Sequence, residues 1–324
     1  MQLRLGVNQV FLVMRDSRSH VLQGRSGIIF GGKMMGRKWF GVLLITLAML
    51  VTAGCVKGRE ANVSQGQTNS PLTVKVLDIG QGDAILIRAA GQTVLVDTGD
   101  TGTKDKLAAY IKKEGITTID KVIITHPHAD HLGGMSSILE NFKVNQIYDS
   151  GQTTTTALYR KYLSLVQSKK IPFSVLTAGT EIVIANDIKL KILAPEKPFI
   201  KDSELNNNSI VAKLMYQDFS MLLTGDAEKE SEERMLKKYK TELKSMILKA
   251  GHHGSNTSSS VSFLKAVAPE AAIISLGANN DYHHPHPSTL KKYGEAKAKV
   301  YRTDTDGTVT INSDGKTYTI TKEK

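Results

Sequence analysis

The chain has 324 residues, of which 40% are hydrophobic and 23% charged, a balance typical of a globular protein. Its formal net charge of +11 points towards a nucleic-acid-binding protein, but residues 1–54 hold seven basic residues and one acid, so they carry +6 and the rest only +5. A mildly basic domain is compatible with an anionic substrate and does not identify one. The single cysteine, Cys55, excludes an internal disulfide framework.

The N-terminal segment has the parts of a secretory signal peptide. Arg37 and Lys38 precede an apolar run over residues 39–51, and small residues separate that run from Cys55. The run is too short for a comfortable membrane span. Cys55 resembles the lipidated residue of a bacterial lipoprotein. We therefore expect a lipoprotein-type signal peptide within residues 1–54 and an extracytoplasmic protein that is anchored to the cell membrane through lipidated Cys55. The alternative is an uncleaved N-terminal anchor helix, which would leave the domain on the same side.

Two further expectations concern the residues around this signal. Met34 or Met35 is a more natural start for it than Met1, so we expect residues 1–33 to be an extension upstream of the true start. An N-terminal peptide of the native protein that maps inside that extension would contradict this. Residues 55–71 are polar and have almost nothing to bury, which indicates a flexible tether.

From residue 72 onward, strand and helix patterns alternate. Three β-branched or aliphatic runs with Gly-containing turns come first, as in antiparallel hairpins. We predict strands at 73–77, 84–88, 93–96, 121–125, 144–148, 182–184, 188–193, 209–216, 220–223, 246–249 and 271–276, and further strands within 299–320. We predict helices at 104–114, 158–167, 228–239, 261–267 and 288–297. This order predicts two mixed sheets with helices outside, in one domain of residues 72–324.

One short segment holds three imidazoles and a carboxylate directly after an apolar run. Eight of the nine histidines of the chain fall in three short clusters, and this is the first of them. Neutral imidazole and carboxylate suit zinc, manganese or iron, and donors this dense on a strand-to-helix turn can point at one volume. The alternative is a group of solvated loop histidines. We predict a metal site whose first donors are His126, His128, Asp130 and His131.

Two later strand ends supply the donors that a second ion would need. Asp226 follows an apolar run and a small-residue turn, and by itself it could be only the N-cap of the next helix. His252 and His253 follow another apolar run. Adjacent residues leaving a strand tend to point in opposite directions, so the pattern leaves open which of the two faces the metal site. We favour His253 as the ligand and place His252 near the reacting group.

Six short motifs follow one another along the domain. They are Leu77-Asp78-Ile79-Gly80-Gln81-Gly82-Asp83, Leu95-Val96-Asp97-Thr98-Gly99, the segment 126–131, Leu222-Leu223-Thr224-Gly225-Asp226, His252-His253-Gly254-Ser255 and Tyr282-His283-His284-Pro285-His286-Pro287. Their order resembles that of metallo-β-lactamase-fold hydrolases and, more narrowly, the C-terminal hydrolase domain of the DNA-uptake channel protein ComEC and its stand-alone relatives. The resemblance spans nearly all of residues 72–324 and implies an αββα sandwich.

The resemblance also implies a role for each donor. His126 and His128 would hold a first metal ion, Asp130, His131 and one of the 252/253 pair a second, and Asp226 would bridge the two. The general family supplies a third histidine to the first ion from between the second motif and this aspartate, but residues 132–225 contain none. An Asn-rich turn at 206–209 lies there instead. We expect water or substrate to complete the first site.

These assignments predict a metal-dependent phosphodiesterase. Two divalent ions, zinc or manganese, about 4 Å apart would activate a hydroxide, which Asp130 could orient. His286 is a candidate for contacting a phosphate oxygen or protonating the leaving group, the alternative being a structural loop histidine. The expected substrate is extracellular DNA and the expected partner a DNA-uptake machinery, as the resemblance implies. The alternatives are hydrolysis of a small or wall-polymer phosphodiester and a non-catalytic DNA-binding module.

Overall fold

The computed structural model describes residues 71–324. The predictions for residues 1–54, for Cys55 and for all but the last residue of the tether lie outside the described residues. Within the described part, no helix is both long enough and apolar enough to cross a membrane.

Seventeen strands and nine α-helices occur between residues 71 and 324. The strands are β1 (Leu72–Val76), β2 (Ile85–Ala89), β3 (Gln92–Val96), β4 (Thr118–Ile119), β5 (Lys121–Ile124), β6 (Lys143–Val144), β7 (Ile147–Asp149), β8 (Phe173–Val175), β9 (Glu181–Ala185), β10 (Ile188–Ala194), β11 (Val211–Tyr216), β12 (Phe219–Leu223), β13 (Ile247–Lys249), β14 (Ala271–Ile274), β15 (Lys299–Arg302), β16 (Val309–Ser313) and β17 (Tyr318–Lys322). The helices are α1 (Lys104–Lys113), α2 (Ala129–Leu132), α3 (Met135–Asn141), α4 (Ala157–Ser168), α5 (Glu204–Asn207), α6 (Lys229–Tyr239), α7 (Val261–Val267), α8 (Pro287–Glu295) and α9 (Thr303–Asp306).

The strands form two large mixed sheets. The first has the order β17-β16-β1-β2-β3-β5-β7-β8 and the second the order β15-β14-β13-β12-β11-β10-β9, while β4 and β6 form a small separate ladder. In the first sheet β3, β5, β7 and β8 run parallel, and in the second β12 to β15 run parallel. Loops that follow parallel strands leave a sheet at the same edge, so each sheet gathers several loops at one end.

Alternation along the strands divides the apolar side chains between three cores. In β1, Leu72, Val74 and Val76 pack between the sheets, because side chains two apart share a face. Leu86 and Leu95 of the adjacent strands point the other way and pack against α1, α3 and α4. The second sheet packs its outer face against α6, α7 and α8 in the same manner. The layers are helix, sheet, sheet, helix, so the predicted αββα sandwich is confirmed.

The further strands predicted within 299–320 are confirmed as β15, β16 and the start of β17, with the short helix α9 between β15 and β16. The Asp306 carboxylate at the end of α9 accepts a hydrogen bond from the Arg302 backbone N–H (2.8 Å). One local prediction was wrong, because the strand expected from residue 209 begins only at Val211. Ser209 instead turns its hydroxyl towards the loop after β12, where it accepts from the Asp226 N–H (3.3 Å).

Candidate metal centre

Four predicted ligands converge at the ends of β5, β12 and β13. The Asp226 carboxylate lies 3.2 Å from His131 Nε2 and 3.5 Å from His253 Nε2 through the same oxygen, Oδ2. Asp130 Oδ2 lies 3.2 Å from His253 Nε2 and 3.9 Å from His131 Nε2. One ligand atom from each of the four residues falls within 4.8 Å of the others. The loops after three strands of two different sheets therefore meet in one cluster.

His126 and His128 lie beside the same cluster. His126 Nε2 is 3.8 Å from Asp226 Oδ2 and 2.9 Å from His128 Nδ1, and the ring centroids of His126 and His131 are 4.2 Å apart. His126 is fully buried, and its Nδ1 lies 3.2 Å from the Thr125 hydroxyl. The six ligands that the sequence predicted are thus adjacent.

The donor set fits divalent metal ions. Asp226 Oδ1 is buried and has no hydrogen-bond partner, and buried polar atoms are nearly always paired. His131 Nε2 and His253 Nε2 are buried as well, and each has only a carboxylate oxygen close by, at 3.2 Å. Buried imidazole nitrogens and carboxylate oxygens within 4.8 Å of one another suit a cation, and this mixture suits zinc or manganese.

Asp97, which follows β3, orients His131 from behind. Its Oδ2 lies 2.8 Å from His131 Nδ1 and accepts from the Thr125 hydroxyl (2.7 Å), while Oδ1 accepts from the Thr125 N–H (2.7 Å). This carboxylate therefore fixes which nitrogen His131 turns towards Asp226, a common arrangement behind metal-binding histidines. Asp97 lies in one of the six motifs of the family resemblance, but no role at the metal site was predicted for it.

Asp97→Asn is expected to weaken divalent metal binding about 10- to 100-fold, because the imidazole loses the carboxylate that fixes its tautomer and orientation. Metal titration of the chelator-treated protein measures the change. Asp100→Asn is the matched control, since that carboxylate accepts from the Gly102 N–H in a neighbouring loop (2.8 Å). Equal affinity of Asp97→Asn and wild type would contradict this role.

The loop before β2 packs directly on the ligand segment. A Cβ atom at Gly82, which has φ +109°, would lie 2.1 Å from the Asp130 carbonyl oxygen, so only glycine fits this close approach. The next residue, Asp83, forms an ion pair with Lys249 (2.8 Å), and both side chains are buried. Asp83 Oδ1 also lies 3.5 Å from His253 Nδ1. The loop thus contacts the centre through its backbone and through one buried charge.

His252 and His253 both face the centre, for a reason that strand alternation did not anticipate. Both have left-handed backbone conformations, with φ 47° and 51°. His253 is buried, and its Nδ1 donates to the Ser275 carbonyl (2.8 Å). His252 is partly exposed, with Nε2 3.9 Å from Asp226 Oδ2 and Nδ1 3.1 Å from Glu228 Oε1. Non-glycine residues in this conformation are uncommon and concentrate at functional sites.

A cavity of 320 Å³ opens over the cluster. It is lined by Gln81, His128, Ala129, Asp130, Asp226, His252, His253, Tyr282 and His284. From the third histidine cluster the structure brings His284 to this cavity and not His286. His286 instead lies at the start of α8, where its Nδ1 accepts a hydrogen bond from the Asn256 N–H (3.0 Å). The His286 ring lies behind the cavity lining, with its centroid 4.9 Å from that of His284, so the chemical role considered for it stays a prediction.

The Asn-rich turn supports neighbouring loops. Asn208 pairs through its carboxamide with the backbone of Ile200, where it accepts from N–H and donates to C=O (2.9 Å each). Asn206 donates to Glu228 Oε1 (3.0 Å), the same oxygen that lies beside His252. The turn is therefore connected to the cavity through Glu228.

The imidazoles of the cluster divide into two groups, because burial lowers the pKa of His126 well below its usual value and that of His128 below it, whereas the pKa values of His131 and His253 are raised. Burial acts to lower the pKa of His253 and His131, but the surrounding carboxylates, chiefly Asp226, outweigh it and raise the pKa of His253 to about 10 and that of His131 well above its usual value. Burial acts to raise the pKa of Asp226, and the neighbouring imidazolium charges lower it well below its usual range. His284 differs, because burial and the charges of His253 and His252 lower its pKa to about 4.

Metal binding near neutral pH is expected to release protons. Ligation needs an unprotonated imidazole nitrogen, whereas the raised pKa values keep His131 and His253 protonated in the metal-free protein. Apparent metal affinity should therefore rise as the pH is raised from 6.5 towards the pKa of about 10 of His253. Calorimetric titration in buffers of different ionisation enthalpy counts the protons. Binding heats that are identical in all buffers, with an affinity independent of pH, would contradict the expectation.

The chain is similar in sequence to a known family and to two bacterial proteins. Residues 77–278 match the Metallo-beta-lactamase superfamily. The chain is 32% identical over 254 residues to ComE operon protein 3 of Bacillus subtilis, covering 73% of this chain and 32% of that protein. It is 29% identical over 268 residues to Competence protein ComA of Neisseria gonorrhoeae, covering 82% of this chain and 35% of that protein. The chain thus spans about a third of the length of these relatives.

Among solved structures, the fold is similar to that of the metallo-beta-lactamase fold protein YhfI of Bacillus subtilis. The TM-score is 0.51 at 12% sequence identity, and the match covers 74% of this chain and 99% of that chain. At this identity the likeness concerns the fold alone.

Proposed function

The chain belongs to the metallo-beta-lactamase superfamily of metal-dependent hydrolases, and from that premise we propose that it is a phosphodiesterase that cleaves extracellular DNA. The proposal depends on one observation above all. Carboxylate and imidazole donors from loops of both sheets converge within 4.8 Å at the floor of a 320 Å³ cavity. Such a centre, open on one side, has room for a substrate phosphate beside the ligands.

Two divalent ions would be held here, by His126 and His128 on one side and by Asp130, His131 and His253 on the other, with Asp226 between them. When bound, such ions supply positive charge for the phosphate oxygens and a water of lowered pKa. We assign zinc or manganese as the metal, since both accept this donor set.

Residues of the chain perform the remaining steps of the proposed reaction. Asp130, with its side chain 24% exposed to the cavity, can orient the attacking water through a carboxylate oxygen. His252 Nε2 faces the cavity while Nδ1 lies beside Glu228, so the carboxylate can stabilise an imidazolium that passes its Nε2 proton to the leaving oxygen. His284 is neutral at neutral pH, because its pKa is lowered to about 4, and it is suited to hydrogen bonding with a phosphate oxygen.

The choice of DNA is supported by the relative from Neisseria gonorrhoeae, which is named as a competence protein. We further propose that the chain works beside a DNA-uptake machinery. In this proposal it is an extracytoplasmic lipoprotein held at the membrane by Cys55. That arrangement would bring the domain to DNA outside the cell.

The test incubates the full chain, loaded with zinc or manganese, with linear DNA and with bis-p-nitrophenyl phosphate. We expect metal-dependent cleavage of both substrates, abolished by a chelator and restored when metal is added back. Cleavage of the small ester alone would favour a small or wall-polymer phosphodiester as substrate. If neither substrate is cleaved and wild type and Asp226→Ala bind DNA equally, the proposed enzymatic function is wrong and a DNA-binding module is favoured.

A further inference from the structure

We propose that Tyr282 is a stacking platform for an unpaired nucleobase at the rim of the cavity, so that the substrate is a single nucleic-acid strand. This rests on the proposed function and adds the form of the substrate. Tyr282 lines the cavity together with Asp226 and His253, yet its side chain is 61% exposed. Among the described residues, five other large apolar side chains are exposed, and none of them lines this cavity: Leu163, Phe173, Val175, Val183 and Val261.

Three rings connect the metal cluster to the surface. The ring of His284 lies over that of His253 at 30° with centroids 6.4 Å apart, and the ring of Tyr282 lies over that of His284 at 25° and 5.6 Å. The His284 ring therefore covers one face of the Tyr282 ring. Because Tyr282 is 61% exposed, the other face of its ring is open to solvent. A planar base placed on the open face would extend the same stack and keep its phosphate on the cavity side.

The loop that carries Tyr282 is fixed by one side chain. The Asn280 carboxamide donates to the carbonyls of Gly277 (3.0 Å) and His284 (2.8 Å), and its oxygen accepts from the His284 N–H (3.0 Å). Three hydrogen bonds thus hold both ends of the short segment that displays the tyrosine. A platform ordered before binding loses less entropy when a ligand stacks on it.

The geometry favours a single strand over a duplex. In a duplex both faces of each internal base are covered by neighbouring bases, whereas an unpaired base is free to stack on an aromatic ring. Stacking of this kind tolerates any base, because every base has a planar face. At 320 Å³ the cavity is at the lower end of the range for small-ligand sites, so it can hold a group of nucleotide size.

The experiment compares Tyr282→Ala, Tyr282→Phe and wild type, each as the metal-loaded full chain. The substrates are a single-stranded oligonucleotide, the same strand with stable abasic analogues at every position, and the duplex. We expect Tyr282→Ala to lower kcat/KM on the base-bearing strand about 5- to 150-fold. On the abasic strand the kcat/KM of Tyr282→Ala should match that of wild type. Tyr282→Phe, which keeps the aromatic ring, should retain the wild-type preference for the base-bearing strand. Phe173→Ala, which removes an exposed aromatic on β8, is the control for general surface effects.

Two results would overturn the stacking proposal without contradicting the proposed phosphodiesterase function. One is cleavage of the base-bearing strand at equal rates by Tyr282→Ala and wild type. The other is an equal loss by Tyr282→Ala on base-bearing and abasic strands, which would indicate a structural role. If wild type cleaves no nucleic acid or small phosphodiester with either metal, the proposed function itself is wrong and the stacking proposal is overturned with it.

Discussion

Asp226→Asn is expected to lower phosphodiester hydrolysis on the order of a thousandfold. A metal centre contributes several kcal/mol of charge stabilisation to the transition state, and each 1.36 kcal/mol corresponds to a factor of ten in rate. No other carboxylate in the described part of the chain approaches as many imidazoles. Its Oδ2 lies within 3.9 Å of a ring nitrogen from each of four residues, His126, His131, His252 and His253.

Asparagine has nearly the same shape as aspartate but lacks the charge, so this substitution tests the ligand with little change in packing. Asp218→Asn provides a matched control, because Asp218 is an exposed residue in the turn between β11 and β12. Steady-state rates on bis-p-nitrophenyl phosphate and bound metal should be measured for both variants. An Asp226→Asn protein that keeps wild-type rate and metal content would contradict the assignment.

Lys249→Met is expected to destabilise the domain by about 3–5 kcal/mol, since it leaves the Asp83 carboxylate buried without its charge partner. Both side chains are at most 1% exposed, and their ion pair is 2.8 Å long. For a domain of this size, 1 kcal/mol corresponds to about 2–4 °C, so Tm should fall by about 6–20 °C. Thermal unfolding of the metal-free protein measures the effect without a contribution from bound ions.

Two further variants show whether the loss of stability comes from the buried unpaired charge or from the loss of any lysine. The double variant Asp83→Asn with Lys249→Met removes both charges and should recover part of the lost stability. Lys189→Met removes a lysine from an ion pair whose side chains are 40% and 43% exposed, and it should cost less than about 1 kcal/mol. A fall in Tm that is the same for Lys189→Met and Lys249→Met would contradict the importance of the buried pair.

The strand and helix order, and two mixed sheets with helices outside, could be predicted because they follow from local patterns, whereas the αββα sandwich was implied by the family resemblance. Leu72, Val74 and Val76 alternate with polar residues, and that alternation is enough to assign one face of β1 to a core. The six predicted ligands were also recognisable, since imidazoles and carboxylates follow apolar runs at several strand ends. Local sequence carries this information because a strand end determines where the following loop begins.

Other parts of the site depend on contacts that no local pattern encodes. Asp83 and Lys249 are distant in sequence, and only the packing of the first loop onto β13 brings them together. The sequence could not separate His284 from His286, because the choice depends on how α8 starts. Positive φ at both residues 252 and 253 likewise turned two adjacent histidines to one side, against the expectation from an extended strand.

We propose that loops from both sheets build one centre for two divalent ions, with Asp226 as a ligand common to both. Elemental analysis of the zinc- or manganese-loaded full chain tests this proposal. We expect two ions per chain in wild type and in Asp218→Asn, and a loss of bound metal in Asp226→Asn. A wild-type chain that retains no divalent ion, or one whose metal content is unchanged by Asp226→Asn, would contradict it.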